Sequence, residues 1–436
     1  MRDVLLIAAI LVGLVYTIRL PFAGVLLWTW FSCMAPHQEA YGFVQTAPLN
    51  LIIAAATIVS WIFSRERKLP SPDATLVLLS IFFVWITLNG FFAVEPSLSW
   101  PIWDRTWKTM LLGVIVLALT VNQVRVHALV WVTAVSLLYY GIKGGIFTVI
   151  TGGHNHVYGP ANTIIGDNNQ LALALLMILP LTNYLRLHSA NQGIRSGLAL
   201  SMALTLFAIL GSYSRGAFLA LGALSVVAWL RSRNKLLYAV IVGALVATAF
   251  EFMPPEYYDR LSTIANSDQD GSFQGRVTAW NVAYDYARDH FPFGDGFYAS
   301  QLPQIFNHYF PGATTHAAHS IYFEVLGDNG FVGLGLFLAL LLVAFANTFR
   351  IRRMTRGRPE LSWAYDLAGM IQLSLFVFCV GGAALSMAYY DVFFILVGLL
   401  SAMVGMLERE LAPAGKAAPA HFGGDARSGG RVMIAE

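Results

Sequence analysis

Apolar runs of about 15 to 25 residues, separated by short polar or basic stretches, recur along most of the chain, and that is the length a helix needs to cross a bilayer. Read against their polar boundaries they fall near residues 4–18, 22–34, 47–63, 74–94, 107–121, 128–150, 169–185, 197–213, 216–230, 236–252, 320–349, 362–388 and 391–407. In lipid the backbone must satisfy its own hydrogen bonds, so such runs are expected to be helical. The first two are short and separated only by residues 17–21, so one of them reads as a half-span or a bent continuation. The pattern therefore predicts an all-α polytopic membrane protein with about twelve transmembrane helices. Residues 1–18 also have the look of a signal peptide, yet no small-x-small cleavage site follows before Pro21, so they are read as a retained span.

The pattern breaks once at length. Residues 253–318 form a hydrophilic stretch bounded by Pro254 and Pro255 at one end and by Pro311 and Gly312 at the other. Within it, residues 277–288 read as an amphipathic helix lying along the membrane surface. The expected organisation is N-terminal transmembrane helices over 1–252, a long loop or lid with short helices over 253–318, C-terminal transmembrane helices over 319–410, and a disordered Ala, Gly and Pro-rich tail over 411–436.

Composition agrees with this and excludes an ordinary soluble domain: 57% of residues are apolar, 12% are charged, and the mean hydropathy is +0.62. The net charge of +3 points to no particular partner and gives no reason to expect nucleic acid. The placement of the basic residues says more. Most of the 27 Lys and Arg fall on alternate boundaries, at residues 64–68, Arg125, Arg186 and Arg195, residues 231–235, residues 350–358 and the tail. The positive-inside rule puts those boundaries in the cytoplasm. The long stretch 253–318 and the shorter loops 95–106 and 151–168 then face outward. Cys33 and Cys379 both lie in apolar runs and suggest neither a disulfide framework nor a thiolate metal site.

The candidate chemistry gathers on that outer side. Arg215, in the small-residue stretch 211–218 between two apolar runs, is a cation at membrane depth. It is either an arginine snorkelling at a tight turn or an anion clamp whose planar fork suits phosphate oxygens. Arg276 follows Gln274 and Gly275 at the start of the expected loop helix, where the helix dipole adds to its pull on an anion. Lys143, near the outer end of a span, is an accessory cation, whereas Arg288 and Arg260 read more simply as solvated loop arginines. His319 precedes an apolar run, so it tops a helix, and a neutral imidazole there can take a proton from a hydroxyl; His316 competes for that role. Asp167 and Asn168 open a span and are expected to cap it, with sugar binding or orientation of a catalytic cation as the alternative. Trp100, Trp103, Trp107 and Tyr158 read as interfacial anchors, with stacking on sugars the alternative. His154, His156, His316 and His319 form only a weak zinc pattern, and the Asp268 to Gly271 run reads as a turn. No metal or other cofactor is therefore expected, and the arginines are left to neutralise the bound phosphates.

Residues 214–218, 275–280, 292–296 and 319–330 together resemble the shared region of the O-antigen ligase and O-antigen polymerase superfamily, over about residues 200–345. The first third, with Arg2, Asp3, residues 19–22, Pro36, His37 and residues 41–43, is similar to the O-glycosylation ligases associated with exosortase systems. The resemblance implies a GT-C-like glycosyltransferase of about twelve helices with a periplasmic lid, in a bacterial inner membrane with its active site on the periplasmic face. It implies an undecaprenyl-diphosphate-linked glycan as donor and a sugar hydroxyl of lipid A-core as acceptor, with catalysis that needs no metal. Arg215 and Arg276 match the diphosphate-binding arginines and His319 the base. Transfer to a pilin or other protein acceptor, or chain growth by a polymerase, would use the same donor site. A lipid-linked glycan transporter is the reading from another class, and it fits less well because these groups cluster at one face rather than at the midplane.

Overall fold

The computed structural model describes residues 2–66, 72–232, 234–236, 239, 240, 243 and 271–412. The helices are α1 (Arg2–Arg19), α2 (Pro21–Met34), α3 (Leu49–Phe63), α4 (Ala74–Phe91), α5 (Pro96–Leu119), α6 (Gln123–Ile150), α7 (Asn168–His188), α8 (Gln192–Leu210), α9 (Arg215–Arg231), α10 (Gly271–Asp289), α11 (Pro303–Tyr309), α12 (Ile321–Thr355), α13 (Ser362–Gly382) and α14 (Asp391–Leu411). No strand occurs among the described residues.

Short polar side chains start many of these helices by accepting from otherwise unpaired backbone N–H groups. Asp73 accepts from Leu76 N at 2.8 Å, Asn122 from Arg125 N at 3.0 Å, Asn191 from Gly193 N at 2.8 Å and Ser214 from Ala217 N at 3.2 Å. α7 and α14 are buried along almost their whole length and form the centre of the bundle. Small residues let the helices approach closely. A Cβ on Gly398 would lie 2.1 Å from the Gly113 carbonyl, and one on Gly145 would lie 2.1 Å from that of Leu204.

Among the described residues, seven helical segments are long and apolar enough to cross a membrane: α4, α6, α7, α8, α12, α14, and α13 taken with the short turn before it (Pro359–Gly382). α2 and α3 are shorter apolar helices. Large apolar side chains such as Leu5, Phe63, Leu342 and Phe349 remain 61% to 84% exposed on the outside of the bundle, which an aqueous surface would not tolerate in such numbers. The chain is thus a multi-pass membrane protein.

Several boundaries differ from the sequence reading. Residues 96–106, expected in an outer loop, form the first turns of α5, because Pro96 stands at the first helical position, where its missing N–H costs nothing. The run expected over 362–388 stops at Gly382, and an irregular turn follows before Asp391. α12 extends past residue 349 to Thr355 and kinks at Gly330, whose φ of 66° only glycine adopts readily. The amphipathic helix is longer than expected; it packs against α12, and against α11 through Ala279, Val282 and Phe306. The expected span 236–252 lies largely, and the loop segment 253–270 with Arg260 and Asp268 entirely, outside the described residues, as does the tail after Ala412.

Candidate functional site

One end of the bundle holds a polar cavity of about 220 Å³. Its walls are built where the loop before α7, the turn between α8 and α9 and the turn after α13 meet the helix α10.

The turn between α8 and α9 carries Tyr213 in a left-handed conformation, φ 57°, with its hydroxyl donating to the Gly153 carbonyl at 2.5 Å. Asn168, at the start of α7, donates its side-chain amide to Ser212 O at 2.6 Å, and Val157 N donates to Gly211 O at 2.9 Å. Gly211 is required here, since a Cβ would meet Thr148 Oγ1 at 2.2 Å. The 151–168 loop is thereby stapled to this turn, and Ser214 caps α9 so that Arg215 is its first residue. The guanidinium therefore leaves from a helix N-terminus, where backbone N–H groups and the helix dipole reinforce its attraction for anions.

Arg276 enters from α10. Its Nη1 donates to Ala384 O at 3.4 Å, tying α10 to the turn after α13, and Gly216 packs beside Ala384. Arg215, Arg276, Asn168 and Asn169 line the cavity together with His156, Tyr158 and Tyr213. Asp167 accepts from Asn169 N at 2.9 Å and so holds the N-terminus of α7.

His319 stands beside this cavity on the segment that leads into α12. Trp280 of α10 donates to Ala318 O at 2.6 Å and stacks on Phe323 with ring centroids 5.2 Å apart, which pins that segment. Gly275 leaves room for the His316 ring; a Cβ there would lie 2.7 Å from its Cδ2. His319 is left-handed at φ 43°, a conformation that costs a non-glycine residue about 1–3 kcal/mol and must be held by its surroundings. The residue is solvent-accessible, yet its imidazole is shielded enough that desolvation, followed by the positive charge of Arg276, lowers its pKa; Asp167 opposes this and His316 adds to it. Arg276, Asp167, His316 and His319 are thus within electrostatic reach of one another.

The other accessory candidates lie apart from this cavity. Lys143 pairs with Glu39 at 3.0 Å on an exposed surface. Arg288 points to solvent between Asp285 and Asp289, each at 3.1 Å. Among the described residues no group of three or more His, Cys, Asp or Glu side chains converges as a metal site. His156 instead packs against the Tyr213 ring at 4.5 Å. Sequence reasoning weighed His156 only as a metal ligand and Tyr158 as an anchor or a platform for sugars, and did not single out Tyr213 or Asn169. The available signal was their position next to Arg215 and Asn168 in the same two short polar stretches.

Residues 292–296 and 327–330 make no part of the cavity wall but hold the end of the bundle together. Asp328, buried in α12, accepts from Tyr298 N at 2.8 Å and from Tyr389 Oη at 3.1 Å, and Gly294 N donates to Asn89 Oδ1 at 3.1 Å. A Cβ on Gly294 would lie 2.5 Å from Asp328 O, and one on Gly330 would lie 2.5 Å from Phe293 O.

Two family models match the chain: residues 1–190 match a family of unknown function, and residues 200–338 match the family described as O-antigen ligase. No curated protein matches the chain. The second match takes in Arg215, Arg276, His319 and the kink at Gly330, all of which meet at this end of the bundle, and this O-antigen ligase domain supports placing the chain in the O-antigen ligase and polymerase superfamily.

Proposed function

We propose that the protein is a glycosyltransferase of the O-antigen ligase type, moving a glycan from undecaprenyl diphosphate to a sugar hydroxyl of lipid A-core. One observation carries this reading: two guanidinium groups from separate helices share a small polar cavity, with an imidazole of lowered pKa beside it. A diphosphate is the anion that such a pair suits, because each planar fork can take two of its oxygens.

In this mechanism Arg215 and Arg276 bind the donor diphosphate and stabilise the negative charge that grows on it as the glycosidic C–O bond breaks. His319, neutral at physiological pH, accepts the acceptor hydroxyl proton while that oxygen forms the new bond to the anomeric carbon. Attack opposite the leaving group inverts the anomeric centre. The polyprenyl chain runs between helices toward lipid, and the guanidinium groups supply the charge neutralisation that a metal would otherwise provide. The basic residues of α9, α12 and α14 lie at the other end of the bundle, which by the positive-inside rule supports a cavity on the periplasmic face of a bacterial inner membrane.

The test is purified protein with lipid-linked glycan in chelator, offered lipid A-core, a pilin-like protein or no added acceptor. Product on lipid A-core is expected. Product on protein, or chain growth alone, would reassign the acceptor while keeping the donor site, and no transfer to any acceptor would overturn the reading.

A further inference from the structure

A second cavity lies at the far end of α12. The path from Ile321 to Arg352 runs ~45 Å at about 1.5 Å per residue, longer than the ~30 Å hydrocarbon core, so this cavity opens at the opposite face from Arg215. It has a volume of about 650 Å³ and is lined by Arg350, Arg352, Arg353, Arg356, Tyr365 and the apolar pair Ala346 and Phe349.

Its charges are poorly matched from within. Among the described residues Arg350 alone of the four has a carboxylate partner, Glu408. Arg352 donates to Tyr365 Oη at 2.8 Å and lies 4.5 Å over that ring, but both contacts are to a neutral group. Its Nε is buried without a hydrogen-bond acceptor among the described residues. Arg231, reaching over from α9, adds a further positive charge near Arg352 and is itself held by the neutral Gln372 Oε1 at 2.7 Å and Gly369 O at 3.4 Å. The nearby Asp366 is engaged with His188 at 3.0 Å. Like charges brought this close repel unless an anion sits among them. Meanwhile Phe349, 61% exposed, offers an apolar wall on the bundle's outer surface beside them.

We propose that this cavity is a phosphate-binding site, taking the phosphodiester of an anionic phospholipid headgroup or a free phosphate of like charge. The apolar wall would carry the acyl chain in the first case, and would be unused in the second. The site is separate from the donor cavity and does not depend on the glycosyltransferase reading.

The experiment is thermal unfolding and native mass spectrometry of the purified full chain. The additions are phosphatidylglycerol, phosphatidylcholine, inorganic phosphate, or chloride at matched ionic strength. Phosphatidylglycerol is expected to raise the unfolding midpoint above phosphatidylcholine and to bind about fivefold more weakly for each guanidinium removed. R353Q/R356Q, which alters two exposed side chains and spares the packing of Arg352, should therefore weaken binding by about 25-fold, while R215Q leaves it unchanged. A response to inorganic phosphate equal to that of the lipid assigns a soluble ligand, and a response to the lipid alone assigns the headgroup. No preference for either phosphate over its control, or undiminished lipid binding in R353Q/R356Q, would overturn the proposal.

Discussion

Arg215 and Arg276 are separated by the whole of α9 and by residues 232–275, yet both guanidinium groups reach one cavity. If they act on a diphosphate, the shape of the charge matters as well as its sign. Arg215→Lys and Arg276→Lys keep the cation and lose the fork, so each should lower kcat for the lipid-linked donor by roughly 10- to 100-fold; substitution by Ala should cost roughly 10²–10³, the scale of one lost charge-stabilising donor. Full activity in the lysine variants would mean that the pair does not grip phosphate oxygens. His319 gives a second test. As a base it works only unprotonated, and because its folded pKa lies below the ordinary value, activity should persist at neutral pH and fall only as pH drops below about 6.5. Asp167→Asn removes the anion that raises this pKa, so the acid limb of kcat/KM should move lower, and His319→Ala should abolish transfer without unfolding the protein. The candidate residues themselves were legible in the sequence, because a lone arginine or histidine at membrane depth is conspicuous. Their selection was less so. Lys143 and Arg288 are cations on the same expected side as Arg276, and only the fold shows Glu39 beside one and two aspartates beside the other.

At the scale of elements, α12 does two jobs. Its first turns take residues 292–298 against them, and the kink at Gly330 makes the space for the Phe293 carbonyl. Gly330→Ala would force a left-handed alanine as well as a contact of 2.5 Å, so it should destabilise the protein by about 1–3 kcal/mol from backbone strain alone. A lower unfolding midpoint is the expected readout, with transfer falling too, since the segment bearing His319 enters this same helix. An unchanged midpoint would show that the kink is not imposed by the packing of residues 292–294. Helix existence followed well from apolar run length; helix ends did not. The start of α5 was lost because residues 96–106 include Pro101, Asp104 and Arg105, which read as loop although the backbone there is helical. Likewise the apolar face of α10 was visible in the sequence, but that it packs on α12 through residues such as Ala283 is a tertiary fact.

At the scale of the whole molecule, the two cavities sit at opposite ends of a helix longer than the bilayer core is thick, one lined by the Arg215 turn and the other by the arginines of α12. That polarity was readable from the alternation of basic boundaries, although the number of crossings was not: short runs such as α2 and α3 look alike in sequence whether or not they span. The polarity makes a prediction that needs no substrate. With Cys33 and Cys379 replaced by Ser, a cysteine at the exposed position Thr314, near His319, should react with a membrane-impermeant maleimide added to intact spheroplasts. A cysteine at the exposed position Glu360, just beyond α12, should react only after the membrane is permeabilised. Labelling of both from the same side would place the donor cavity and the arginine cluster on one face. A helix as long as α12 requires them to be on two.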